Sequence, residues 1–284
     1  MPHLASFRSG WESENLARFI LYKFSFIANP STVSDDIGID FFCTLFQRRL
    51  ISNKEYLIPR NSFAIQIKSN AEKLDFTDKL QYLEELELPF LIGVADREKM
   101  KLTIYSGEYI PLLFSQVGIP KCLEIVLEER ELVNSNNFYS RKGDNCSLSF
   151  PKIIEIKASI ARDELTQKID TLIDLVSQIQ NNLSSKRNGE YIFKLFPPNL
   201  ADGVIFAGSG SYRFFRNNFM DRLAEVFYNL AWIYTNHPNE FHEEEYLLYK
   251  ELYEHLEVYY PSLPSSVKFA YIELKKTVDR SYGI

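Results

Sequence analysis

The segments Asp36-Ile37-Gly38-Ile39-Asp40 and Gln66-Ile67-Lys68 place, in that order, residue types suited to hydrolysing a phosphodiester. That reaction calls for a hard divalent cation held by oxygen atoms, an activated water, and positive charge where negative charge builds on phosphorus. Asp40 can give a carboxylate, Gln66 a neutral amide oxygen, and the backbone of Ile67 a carbonyl. Glu14, upstream in a helical segment, can bring a second carboxylate to the same ion. Gln66 and Lys68 lie two apart in an alternating run, so both side chains leave the same face of a strand. The Lys68 ammonium can then orient the attacking water or stabilise the developing charge. Asp36 is a turn residue with at most a supporting role, and Gly38 permits a tight approach to the strand.

Each residue also has a plainer reading. Asp40 could cap a turn, Glu14 could stabilise a helix N-terminus, and Gln66 with Lys68 could sit on any exposed strand. Their order and the apolar run Phe63, Ile65, Ile67 around the QxK give the chemical reading its weight. A competing pattern is Glu155-Ile156-Lys157, an ExK on an apolar strand with Asp144 before it. No acidic helix precedes Asp144, and residues 140–145 read as a loop. Arg48, Arg49, Lys54 and Arg60 fall on an expected hairpin tip beside the Asp40 site, where they could contact phosphates or simply be solvated.

The elements needed to position these residues can be read from periodicity. Leu16, Phe19, Ile20, Phe24 and Ile27 predict a helix over 12–27, ended by Asn29-Pro30. Strands are expected over 37–46 and 62–68, joined by a hairpin tip at 47–60. A short acidic helix at 77–87 and strands at 89–96 and 101–106 follow. Residues 121–157 hold further strand material, with a polar loop at 134–145. Strands alternating with helices indicate a mixed α/β sheet. A long helix is expected over 160–183, with Ile169, Leu172, Ile173, Val176 and Ile179 on one face. Three more follow over 212–236, 241–259 and 265–280. A domain boundary is therefore expected near 158, dividing the chain into 1–158 and an all-α domain, 159–284.

Glu14-x-x-Ala17, then Asp36-Ile37-Gly38-Ile39-Asp40, then Gln66-Ile67-Lys68-Ser69 resembles the PD-(D/E)xK nuclease superfamily. Within it the pattern is similar to the Mrr-like branch, in which Gln replaces the acidic member. The resemblance covers residues 12–106 and implies a restriction-endonuclease-like core of helix, strand, strand, strand, helix, strand. It implies an endonuclease cutting DNA, dependent on Mg²⁺ (or Mn²⁺), with Asp40, Gln66 and Glu14 as metal ligands and Lys68 as the family lysine. It further implies a prokaryotic restriction or anti-phage effector; the acidic net charge adds the expectation that activity depends on a homo-oligomer or on a separate defence-system protein. The sequence departs from the strict pattern in its uncharged Gln66, in Ile39 where proline is common, and in the long interval from Asp40 to Gln66. RNA remains an alternative substrate, and a catalytically weak module binding nucleic acid or a partner protein is the alternative function. Residues 159–284 carry no resemblance and would sense a trigger, bind a partner or oligomerise.

The bulk properties narrow the rest. The chain has 284 residues, 45% of them hydrophobic and 25% charged, an ordinary globular balance. A net charge of −6 argues against a simple nucleic-acid coat protein and against tight non-specific DNA binding by a lone subunit. The acidic charge is uneven: residues 240–257 carry seven glutamates against Lys250. Cys43, Cys122 and Cys146 form no CxxC pair and fit a reducing, cytoplasmic compartment. No HExxH, signal peptide or membrane-spanning run is expected. Gly208-Ser209-Gly210-Ser211 lacks the GK[ST] of a P-loop. Tyr246, Tyr249, Tyr253 and Tyr260 read as core or oligomer surface, and Glu243-Glu244-Glu245 as a solvated helix start.

Overall fold

A computed structural model describes residues 2–29, 38–70, 74–132, 137–188, 192–196, 204–206, 212–260 and 263–283. Asp36 and the 208–211 segment lie outside the described residues. The chain separates by its own contacts into two units, residues 1–209 and 210–284.

The first unit opens with helix α1 (Pro2–Leu21) and strands β1 (Ser25–Ala28), β2 (Phe41–Ile51) and β3 (Lys54–Lys68). These three strands form an antiparallel meander. After the short strand β4 (Leu74–Asp75), a 3-10 turn (Thr77–Lys79) and helix α2 (Leu80–Glu85), strand β5 (Phe90–Asp96) returns parallel to β3. A parallel neighbour needs such a crossover, because a tight turn can only reverse the chain. Strand β6 (Lys101–Ser106), helix α3 (Ile110–Val117) and strands β7 (Cys122–Glu128), β8 (Tyr139–Lys142) and β9 (Asn145–Lys157) complete the sheet. Its order is β1-β2-β3-β5-β6-β9-β7-β4, with β8 alongside β9. Strand β9 joins the two halves: its first part pairs with β7 and its last part with β6.

Alternation along β3 assigns each residue to a face. Phe63, Ile65 and Ile67 enter one core with Leu91, Ala95 and Leu102. Leu16, Ala17, Ile20 and Leu21 of α1 cover that face, as does helix α4 (Arg162–Arg187) through Leu172, Leu175, Val176 and Ile179. Each such buried aliphatic contributes about 1.5–3 kcal/mol. Ala64 enters the opposite core, which contains Ile39, Phe76, Leu80, Ile92 and the apolar residues of α3. Gln66 and Lys68 continue the Ala64 row and so emerge on this second face.

The structure departs from the sequence expectations in several places. Helix α1 begins at Pro2 and ends at Leu21, and β1 occupies residues assigned to the helix's end. The expected hairpin tip at 47–60 is almost all strand. The true turn is Ser52-Asn53, between the paired Ile51 and Lys54, with φ of 50° and 61°. Two successive positive φ values suit the right-handed twist of the arms. Helix α3 was not expected, and β8 lies inside the expected polar loop.

The largest difference concerns α4. Its apolar stripe was legible, but it packs on the first unit's sheet instead of beginning a helical domain at 159. Its far end is pinned to that unit too: the Lys186 ammonium bonds the Glu84 backbone and carboxylate, each at 2.6 Å. Asn182 bonds Lys194 of strand β10 (Ile192–Lys194), which pairs with β11 (Val204–Phe206).

The second unit holds helices α5 (Tyr212–Asn236), α6 (Glu243–Tyr259) and α7 (Ser265–Tyr282) around an aromatic core. Tyr253 stacks on Tyr271 at 3.8 Å and Phe241 on Tyr282 at 3.9 Å. Tyr246 and Tyr253 are buried, while Tyr249 and Tyr260 pack at the core's margin. Among the described residues, no helix is long and apolar enough to cross a membrane.

Candidate active site

Asp40 stands immediately before β2, where the chain meets the end of β3. Its backbone N–H donates to the Ile65 carbonyl at 3.0 Å. Its carboxylate accepts the backbone N–H of Ile67. The antiparallel pairing of Phe41 with Ile65 places Asp40 opposite Gln66. Asp40, Gln66 and Lys68 are therefore brought together by the register of two strands, on the face away from α1.

Gln66 is 6% exposed, and its Oε1 has no hydrogen-bond partner among the described residues. An unmet buried acceptor costs free energy and needs an explanation. A carbonyl oxygen in this setting can accept from a water or bind a cation. Lys68 is half-buried. Burial holds its ammonium below the ordinary lysine value; Asp40 opposes that shift and Lys79 adds to it.

Lys79 is the residue that sequence reading missed. It closes the 3-10 turn ahead of α2, and its ammonium reaches back over Gly38. A Cβ built on Gly38 would overlap the Lys79 ammonium and come within 2.8 Å of Gln66 Nε2. Gly38 also has φ of +74°, so glycine is required there for both conformation and space. The turn is fastened by Asp75, whose Oδ1 accepts the Thr77 N–H at 2.9 Å. Those bonds from Thr77 hold the Asp75 carboxyl below the usual carboxylate range.

The remaining candidates are carried by other elements. Glu14 is half-buried on α1, which covers the opposite face of β3 from Gln66 and Lys68. Neighbouring Glu12 pairs with Arg97 in the β5–β6 turn. The basic residues of the hairpin, expected beside Asp40, are instead carried away from it along β2 and β3. Eight residues at about 3.3 Å each put Arg48 roughly 26 Å along the strand. Arg48 bonds Glu55 at 3.3 Å, and Arg60 bonds Gln47. All four basic residues are exposed.

The competing ExK pattern is dispersed. Asp144 sits in the turn before β9 and pairs with Lys121 at 2.6 Å. Glu155 lies near the far end of the same strand, paired with Lys101 at 2.6 Å. Ten residues of strand, about 33 Å, separate Asn145 from Glu155. These two acidic residues therefore cannot share an ion.

The site's donors fit a weakly held divalent cation. Asp40, Gln66 Oε1 and the Ile67 carbonyl are all hard oxygen donors, and Mg²⁺ commonly uses one or two carboxylates completed by water and substrate phosphate. Among the described residues, no group of three or more His, Cys, Asp or Glu side chains could hold a metal. One carboxylate flanked by two lysines makes a poor cation trap without an anionic substrate. No family model, curated protein or solved structure matches the chain.

Proposed function

We propose that the first unit is a metal-dependent nuclease that hydrolyses phosphodiester bonds of DNA. The observation that carries this reading is the convergence of Asp40, Gln66 and Lys68 on one sheet face at the β2–β3 junction. The order α1-β1-β2-β3-α2-β5, with β3 parallel to β5, supports a restriction-endonuclease-like core.

In this reading Asp40, Gln66 Oε1 and the Ile67 carbonyl hold Mg²⁺ or Mn²⁺. Such an ion polarises the phosphate and lowers the pKa of a bound water. Lys68, half-buried and facing Asp40, orients the nucleophile and offsets charge on the phosphoryl oxygens. Because Gln66 brings no charge, the substrate phosphate completes the cation's environment, and metal affinity is low in its absence.

The test is cleavage of plasmid DNA and of RNA with Mg²⁺ or Mn²⁺, comparing the wild type with Asp40→Ala and Lys68→Ala. Cutting that depends on metal and is lost in both variants supports the assignment. Cutting that survives both overturns it. A second reading, a nucleic-acid-binding module without catalysis, is favoured by the excess of lysine over carboxylate at the site. It predicts phosphate-dependent binding with no cutting under any metal.

A further inference from the structure

We propose that Lys79 is a second catalytic cation of this site, contacting a non-bridging oxygen of the scissile phosphate opposite Lys68. This rests on the nuclease reading above. The Lys79 ammonium and Gln66 Nε2 both lie against the space above Gly38, so two donors face one small volume. Lys68 opens on the same sheet face. Donors gathered in this way suit an anion rich in acceptor oxygens.

Two further observations single out Lys79. Its ammonium lies over the Phe76 ring, 6.0 Å from the ring centre, and forms no ion pair among the described residues. It also occupies the N-cap of α2 without any side-chain capping bond. That position favours Ser, Thr, Asp or Asn, and a cation there opposes the helix dipole. Helix capping therefore gives no reason for lysine at 79, and the distant contact with Phe76 is a weak one, whereas a phosphate bound beside Asp40 would favour a cation there. Gly38 is the slot that admits it, since any side chain there would displace the ammonium.

The experiment compares wild type, Lys79→Met and Lys79→Arg in steady-state cleavage of a labelled duplex with Mg²⁺, with thermal melting as a folding control. Methionine keeps the apolar stem and removes the charge. The expected result is a kcat about 100-fold lower for Lys79→Met with KM little changed, and recovery to within about tenfold for Lys79→Arg. A Lys79→Met variant that melts like wild type and cuts within threefold of it would overturn the proposal. If the wild type cuts neither DNA nor RNA, the nuclease reading falls by itself. Binding of a duplex of about 20 base pairs across a salt series then decides the phosphate contact. A slope reduced by about one unit in Lys79→Met sustains the contact, and an unchanged slope removes it.

Discussion

The Asp40 carboxylate accepts the backbone N–H of Ile67, the residue between Gln66 and Lys68. One hydrogen bond thus ties the acid that leads into β2 to the strand that carries its partners. The carboxylate is held in place by β3 backbone, so its position depends on strand register and not on a flexible rotamer. A one-residue slip of β3 would turn Gln66 and Lys68 to the α1 face and remove the bond together.

Asp40→Asn separates geometry from charge. The amide oxygen can still accept the Ile67 N–H, so the melting temperature should stay within a few degrees of wild type. Losing the Asp40 carboxylate opposite Gln66 should lower cleavage by about a hundredfold or more, since even outer-sphere changes at metal sites cost 10–100-fold. Plasmid cleavage and a thermal melt on the same sample check both halves.

Asp75 governs the second lysine at one remove. Its carboxyl is held below the usual carboxylate range by bonds from Thr77, in the turn that ends at Lys79. A depressed folded-state value means the stabilisation is complete above the unfolded value and is lost as pH falls through the folded one. Asp75→Asn should leave the turn bonded and insensitive to acid, whereas Asp75→Ala should loosen it at every pH. The expected reading is a lower kcat for Asp75→Ala, with global stability barely changed. Equal activity of the alanine variant and wild type would show that the turn needs no fastening.

Glu108 and Arg130 make a structural prediction away from the site. Glu108 is 3% exposed and Arg130 holds it at 2.8 Å, also bonding the Phe196 carbonyl at 3.1 Å. Burial pushes the Glu108 carboxyl up, and Arg130 pulls it back. Arg130→Met leaves that carboxyl without its partner and should cost about 3–5 kcal/mol at neutral pH. A folded-state value above the unfolded one gives stability that is greatest with the carboxyl protonated and falls as pH rises through the folded value. The variant's deficit should therefore shrink toward pH 5, as urea unfolding at two pH values would measure.

Much of the sheet was readable because its strands alternate cleanly. Phe63, Ile65 and Ile67 fixed one face of β3, and the same alternation put Gln66 and Lys68 on the other. The end of α1 was not readable, because Phe24 and Ile27 continue a helical spacing although β1 has already begun. The extent of the hairpin was hidden by Arg48, Arg49, Lys54 and Arg60. Exposed polar residues on a projecting two-stranded arm look like a loop. Lys79 left only a faint local sign, a lysine where a helix start prefers an acceptor. Its nearness to Gly38 is a product of the β3–β5 crossover, which no local pattern encodes. The reach of α4 is hidden for the opposite reason. Its amphipathic stripe was plain, but a stripe does not name the surface that covers it.

The position of the hairpin turns its charges into a length-dependent prediction. With Arg48 and Arg60 engaged by Glu55 and Gln47, Arg49 and Lys54 are the cations best placed to meet a phosphate backbone. Nine residues of strand put Arg49 roughly 30 Å from Asp40, and Lys54, paired with Ile51, lies roughly 36 Å away, which corresponds to about nine to eleven base pairs of duplex. Arg49→Gln with Lys54→Gln should leave the binding and cutting of a six-base-pair duplex unchanged. On a duplex of about 20 base pairs the same variant should bind more weakly, with its salt slope reduced by about 1.8 units if both residues neutralise phosphates. A loss that is equal on short and long duplexes would mean the hairpin acts on the site through the fold, and no loss on either would leave it a solvated arm. The strand geometry favours the length-dependent outcome, because β2 begins at the candidate site and ends at the hairpin turn.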